Sequence, residues 1–161
     1  MGFWSGIKHA LNSTLGTGDF KPLDKIVTDL IYNNKSLVAS DNPYYIIEPN
    51  AKSISLNGSI QTLSYKLRFK NQGSIRISVG LKRSSSDVGT YLYVLVNNVQ
   101  VANLSSNDTD YVTKTTDISI PAGGVLSFKV DGASSSSAKA YFKALEIHAD
   151  VIDSSLFEDI T

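Results

Sequence analysis

Side chains able to do chemistry are sparse in this chain, and none stands at a catalytic spacing. The two histidines, His9 and His148, lie far apart in the 161 residues. Neither has a Ser, Cys or carboxylate neighbour spaced as a triad or a metal motif requires. His148, in Glu146-Ile147-His148, reads as a solvent-facing residue at a strand edge. Asp and Glu number 15 and are dispersed. A glycosidase-like acid and base could be assembled from Asp117 and Glu146, but nothing in the sequence singles that pair out. Gly16-Thr17-Gly18-Asp19 lacks the Gly-Lys-Ser/Thr ending of a phosphate loop. Asn107-Asp108-Thr109-Asp110 offers two carboxylates to calcium, yet fits a plain turn better. With no cysteine, disulfides and thiolate metal sites are excluded. The expectation is a non-enzyme with no catalytic residue, no metal ligand and no cofactor.

Recognition is better provided for. Aromatic rings stack on the apolar faces of sugars while Asn, Asp and Ser satisfy the hydroxyls. Tyr91, Tyr93 and Tyr141 fall within strand patterns, where packing is the default. Tyr44, Tyr45 and Tyr111 lie near loops and are the candidates for contact with a glycan or another surface. The single tryptophan, Trp4, is in the leader, which weakens a lectin-like platform and favours subunit contact.

Two kinds of element must position these residues. Residues 1–36 read as a helical anchor. Phe3, Trp4, Ile7, Leu11 and Leu15 recur near helical period, Gly16-Thr17-Gly18 interrupts them, and a second helix starts at Pro22 and stops at Asn33-Asn34. So short a hairpin cannot shelter its own apolar stripe. Those five side chains are therefore expected to dock on a partner, removing apolar surface worth about 25 cal/mol per Å². Packing back on the chain's own sandwich is the alternative. Residues 37–43 read as a linker ending in Asn42-Pro43.

From 44 to 151 the period changes to two. Leu63, Tyr65, Leu67 and Phe69 share one face, as do Ile75, Ile77, Val79 and Leu81, and Leu126, Phe128 and Val130. Tyr91 to Val96 is apolar on both faces, as suits a central strand or a face buried on a neighbour. Asn57-Gly58, Asn71-Gln72-Gly73, Asn97-Asn98 and Pro121-Ala122-Gly123-Gly124 supply turns. The fold class this predicts is mainly β, an antiparallel β-sandwich or jelly roll with a short N-terminal helical anchor. Residues 152–161 form an acidic tail outside the core.

Charge narrows the partners. Fifteen basic and 15 acidic residues cancel, so no general field draws nucleic acid or an anionic membrane. The basic cluster Lys66, Arg68, Lys70, Arg76, Lys82 and Arg83 alternates with apolar residues and reads as a solvated sheet face. No apolar run approaches the length of a membrane span, and the leader lacks the pattern of a signal peptide.

The run Gly73-Ser74-Ile75-Arg76-Ile77-Ser78-Val79 is followed by Thr90-Tyr91-Leu92-Tyr93-Val94-Leu95-Val96-Asn97-Asn98-Val99-Gln100-Val101. After Tyr111-Val112-Thr113 come Asp117-Ile118-Ser119-Ile120-Pro121-Ala122-Gly123 and Ala140-Tyr141-Phe142-Lys143-Ala144-Leu145-Glu146-Ile147. This series resembles small β-sandwich modules of tail, baseplate and fibre proteins of phages and phage-like particles, and the leader resembles N-terminal segments of such proteins. The resemblance implies a virion structural protein, made in a host cytoplasm and joined through its leader to other virion proteins. It also implies a homo-oligomer, a trimer among the options, whose sandwich can touch a host cell-surface glycan. A capsid decoration, head-fibre or collar protein is the alternative of the same class, and a free carbohydrate-binding module the alternative of another. The pattern has no catalytic or ligand residue to transfer.

Overall fold

The period-two stretch and part of the tail form ten strands in the computed structural model, which describes residues 36–41, 43–56, 59–83, 89–132, 139–150 and 157–160. They are β1 (Pro43–Glu48), β2 (Lys52–Ser55), β3 (Gln61–Phe69), β4 (Gly73–Lys82), β5 (Thr90–Val96), β6 (Val99–Ser106), β7 (Val112–Ile120), β8 (Val125–Asp131), β9 (Lys139–His148) and β10 (Phe157–Asp159). The described residues are mainly β and include no helix. The expected anchor, with Phe3, Trp4, Ile7, Leu11 and Leu15, lies outside the described residues, as does the Asn57-Gly58 turn.

All strand pairs are antiparallel. The first sheet runs β1-β9-β4-β7, with β2 also paired to β9; the second runs β10-β3-β8-β5-β6. Set side by side, β2-β9-β4-β7 and β3-β8-β5-β6 are the two halves of a jelly-roll winding. Each inner face carries the apolar phase of its strands. Ile75, Ile77, Val79 and Leu81 from β4, Leu126, Phe128 and Val130 from β8, and Phe69 from β3 are fully buried in one continuous core. β5 lies between β8 and β6, with Leu92, Val94 and Val96 inward and Tyr91, Tyr93 and Leu95 on the other face.

The turns follow their residue types. Asn97 and Asn98 both take positive φ, 52° and 65°, and close β5 onto β6 with Val96 opposite Val99. Gly124 N–H donates to Pro121 O at 2.9 Å around Gly123, whose φ of 75° suits glycine.

The stretch expected as a linker is tied down at its start. Leu37 is buried, its N–H donates to Gln72 O at 3.0 Å, and its carbonyl accepts from Ser74 N–H at 2.9 Å. The approach is so close that only a glycine fits opposite: a Cβ on Gly73 would stand 2.2 Å from Leu37 O. The tail expected outside the core contributes β10, which extends the second sheet by pairing Phe157 to Asp159 with Phe69 to Leu67.

Strand β9 contains one irregularity that sets the geometry of the first sheet. Ser78 pairs with Glu146 and Gly80 with Lys143, so Val79 faces two residues, Ala144 and Leu145. Ala144 takes φ 46°, and this bulge shifts the alternation by one. Ala140 and Phe142 point inward before it, Leu145 and Ile147 after it.

Gly73→Ala is expected to break the Leu37 bridge and cost about 2 kcal/mol, the worth of one buried leucine. Gly123→Ala, whose Cβ would meet nothing within 4 Å, should cost only the left-handed backbone penalty, about 1 kcal/mol. Urea unfolding midpoints at constant slope check both.

Candidate functional site

The outer face of the first sheet gathers the polar phase of β4, β7 and β9. At one end, pairing sets Ser53 of β2 beside Tyr141 of β9, which pairs in turn with Lys82 of β4; Tyr111 immediately precedes β7 on the far side of β4. In the next row Lys143 of β9 faces Gly80, which faces Thr113 of β7. The Lys82 ammonium lies 5.0 Å from the ring centroid of Tyr111 and 5.0 Å from that of Tyr141, and the Lys143 ammonium lies 4.8 Å from the Tyr111 centroid. Such contacts are worth about 0.5–1 kcal/mol each at exposed sites, enough to bias the lysine rotamers. Gly80 leaves room for this: a Cβ there would stand 3.0 Å from Lys143 Cγ. Both tyrosine rings are half-buried and Lys143 is exposed. Desolvation, with a smaller contribution from Tyr141, raises the Tyr111 hydroxyl above its ordinary value, so it remains a neutral hydrogen-bond donor at physiological pH.

Along the same face the carboxylates are already engaged. Arg76 Nε donates to Asp117 Oδ1 at 2.7 Å and Nη2 to Asp117 Oδ2 at 3.0 Å, while Nη1 also meets Asp41. The hydrogen bond from Arg76 holds the Asp117 carboxyl below its usual range. Glu146 Oε2 lies 2.9 Å from His148 Nε2, and His148 Nδ1 lies 3.1 Å from Asp41 O. His148 therefore stands on an interior strand, bound at both ring nitrogens, and not at the strand edge that its sequence position suggested. Asp117 and Glu146 are engaged by two different side chains, Arg76 and His148, with no shared site for an acid and a base. Asp108 accepts from Ser106 Oγ at 2.9 Å, and its N–H donates back to that oxygen at 3.2 Å, a local turn. Among the described residues no three His, Cys, Asp or Glu converge as metal ligands.

Of the candidate contact tyrosines, Tyr111 falls in the Tyr-Lys cluster. Tyr45 packs against the core. The side chain of Tyr44 lies outside what is described. Tyr141 was missed because strand membership was read as packing, Lys82 because its basic cluster was read as a solvated sheet face, and Lys143 was not singled out. The signal was present, since Tyr141 and Lys143 share the period-two phase opposite Ala140 and Phe142. The basic cluster divides between the sheets, with Lys66 and Arg68 on the second and Arg76 and Lys82 on the first. A separate open groove of about 370 Å³ in the second sheet is lined by Lys66, Asn97, Asn98, Val125, Ser127 and Ile160, with no aromatic ring.

No protein-family model matches the chain, and no curated protein matches it. Among solved structures it is similar to a family 35 carbohydrate binding module from an environmental isolate, at 16% identity over 79% of this chain and 90% of that one, with a TM-score of 0.45. It is also similar to dimeric latent PorU from Porphyromonas gingivalis, at 12% identity over 72% of this chain and 12% of that one, with a TM-score of 0.30. At these values neither likeness carries an argument about activity.

The other strongly placed acid, Glu48, holds the two sheets together. Its carboxylate accepts from Tyr65 Oη at 2.8 Å and from Asn50 N–H at 3.0 Å, with Lys52 Nζ at 3.1 Å. The Tyr65 bond above all holds Glu48 below its ordinary 4.5, and burial with the same bond pushes Tyr65 up to about 12. Glu48's contribution is thus present above the ordinary carboxylate value and lost as pH falls through its lower folded value. Tyr65's is present below 10.0 and lost as pH rises through about 12. Tyr65→Phe is expected to cost about 1.5–3 kcal/mol at neutral pH, and Glu48→Gln to flatten part of the acid limb, both read from urea midpoints across pH.

Proposed function

We propose that this chain is a non-enzymatic appendage module of a virion or phage-like particle, whose β-sandwich grips a host-surface glycan. The observation that carries the binding half is the convergence of Tyr111, Tyr141, Lys82 and Lys143 on the outer face of the first sheet. Two half-buried rings form an apolar floor for a sugar, their hydroxyls donate to it, and the ammonium groups reach its substituents. A non-catalytic role is supported by the commitment of Asp117 to Arg76 and of Glu146 to His148. The virion setting is supported by the strand and turn pattern that resembles phage appendage modules. In that setting the leader docks through Phe3, Trp4, Ile7, Leu11 and Leu15, and other virion proteins or further copies of the chain are its partners.

Screening the full chain on an immobilised array of bacterial surface polysaccharides tests the binding half. Tyr111→Ala and Tyr141→Ala should each weaken binding about tenfold, while Tyr45→Phe, on a core-packed ring, leaves it unchanged. Phe3→Asp combined with Trp4→Asp tests the docking half. The variant is expected to bind the array as before and to be lost from purified particles.

A further inference from the structure

We infer that the saccharide recognised at this platform is anionic, its carboxylate or phosphate held jointly by Lys82 Nζ and Lys143 Nζ. This rests on the glycan-binding reading above and adds the charge of the ligand. Both ammonium groups lie within 5.0 Å of one ring centroid, that of Tyr111. Among the described residues neither lysine has a carboxylate within ion-pair distance. Further along the same face the arginine is differently placed: Arg76 is matched with Asp117 and Asp41. Asp110, beside Tyr111 and exposed, joins neither lysine in an ion pair.

Two like charges held around one ring repel each other, and a bound anion relieves that repulsion where a neutral sugar cannot. The chain's 15 basic and 15 acidic residues cancel, so this is a local feature and not a general basic surface. Holding the lysines on the rings, with Lys143 laid across Gly80, reduces the ordering cost of gripping an anion. Lysine also suits a substituent approached from varying directions, since its ammonium acts as a point charge and imposes no planar fork.

The test uses the full chain in calorimetric titrations with polygalacturonate, its carboxyl-reduced neutral form, poly(glycerol phosphate) and a neutral glucan. The acidic polymers are expected to bind at least about tenfold more tightly than the neutral ones, with affinity falling as salt shortens the screening length. The carboxylate and phosphate arms identify which group is preferred. Lys82→Gln and Lys143→Gln should each lose about tenfold on the preferred acidic polymer. Lys82→Arg and Lys143→Arg should retain most of the binding, and Lys66→Gln on the other sheet should change nothing. Circular dichroism confirms that each variant is folded. Equal binding of acidic and neutral polymers would overturn the anionic inference and leave the platform standing. Equal losses from Lys66→Gln and Lys82→Gln would overturn it too, by showing a diffuse charge effect. Failure of the unaltered chain on these polymers and on the whole polysaccharide array would overturn both readings.

Discussion

Strand β9 has to serve two faces with one sequence, and a single extra residue at Ala144 lets it do so. Without the bulge, the alternation that buries Ala140 and Phe142 would turn Leu145 and Ile147 toward solvent and drive Glu146 and His148 into the core. Burying an unpaired carboxylate and an imidazole there would cost far more than the local strain of φ 46° at one alanine. The bulge therefore protects the core and arranges the surface together. It ends one outward series at Lys143 and starts another at Glu146, which separates the Tyr-Lys cluster from the paired charges beyond it.

The two series on that face differ in how their charges are satisfied. Toward one end Arg76 and His148 take up the carboxylates of Asp117, Asp41 and Glu146. Toward the other, Lys82 and Lys143 lean on tyrosine rings and, among the described residues, form no ion pair with an acid. A ring attracts an ammonium group through its quadrupole without neutralising it, so the charge is placed and remains available. A carboxylate in the same spot would give a firmer contact and cancel the charge. That contrast makes the Tyr-Lys end the binding candidate and the other end a structural brace.

Behind the face, the two sheets are joined by more than apolar contact. Glu48 of β1 receives the Tyr65 hydroxyl from β3, and Tyr141 N–H reaches Thr90 Oγ1 of β5 at 3.3 Å. Polar links of this kind fix how one sheet sits on the other, which apolar area alone specifies weakly. Tyr65 illustrates the division of labour within one side chain, its ring packing on the core while its hydroxyl satisfies the carboxylate.

Much of the architecture was legible in the chain because its information is local. Period-two alternation marks which side of β3, β4 and β8 is buried, and Asn97-Asn98 and Pro121 to Gly124 suit positive φ where reversals occur. These patterns depend only on neighbours in sequence, so they marked the stretch that carries the strands β1 to β9 and the turns within it. What they could not encode is which strands become neighbours across the fold. Tyr111 and Tyr141 are separated by 30 positions, and only the winding that sets β4 between β7 and β9 brings them to one ammonium group. The same holds for Leu37 against Gly73, for β10 on β3 and for Glu48 under Tyr65. Alternation is set residue by residue, but the meeting of distant residues is decided when two sheets bury their inner faces against each other, and that is a property of the whole fold.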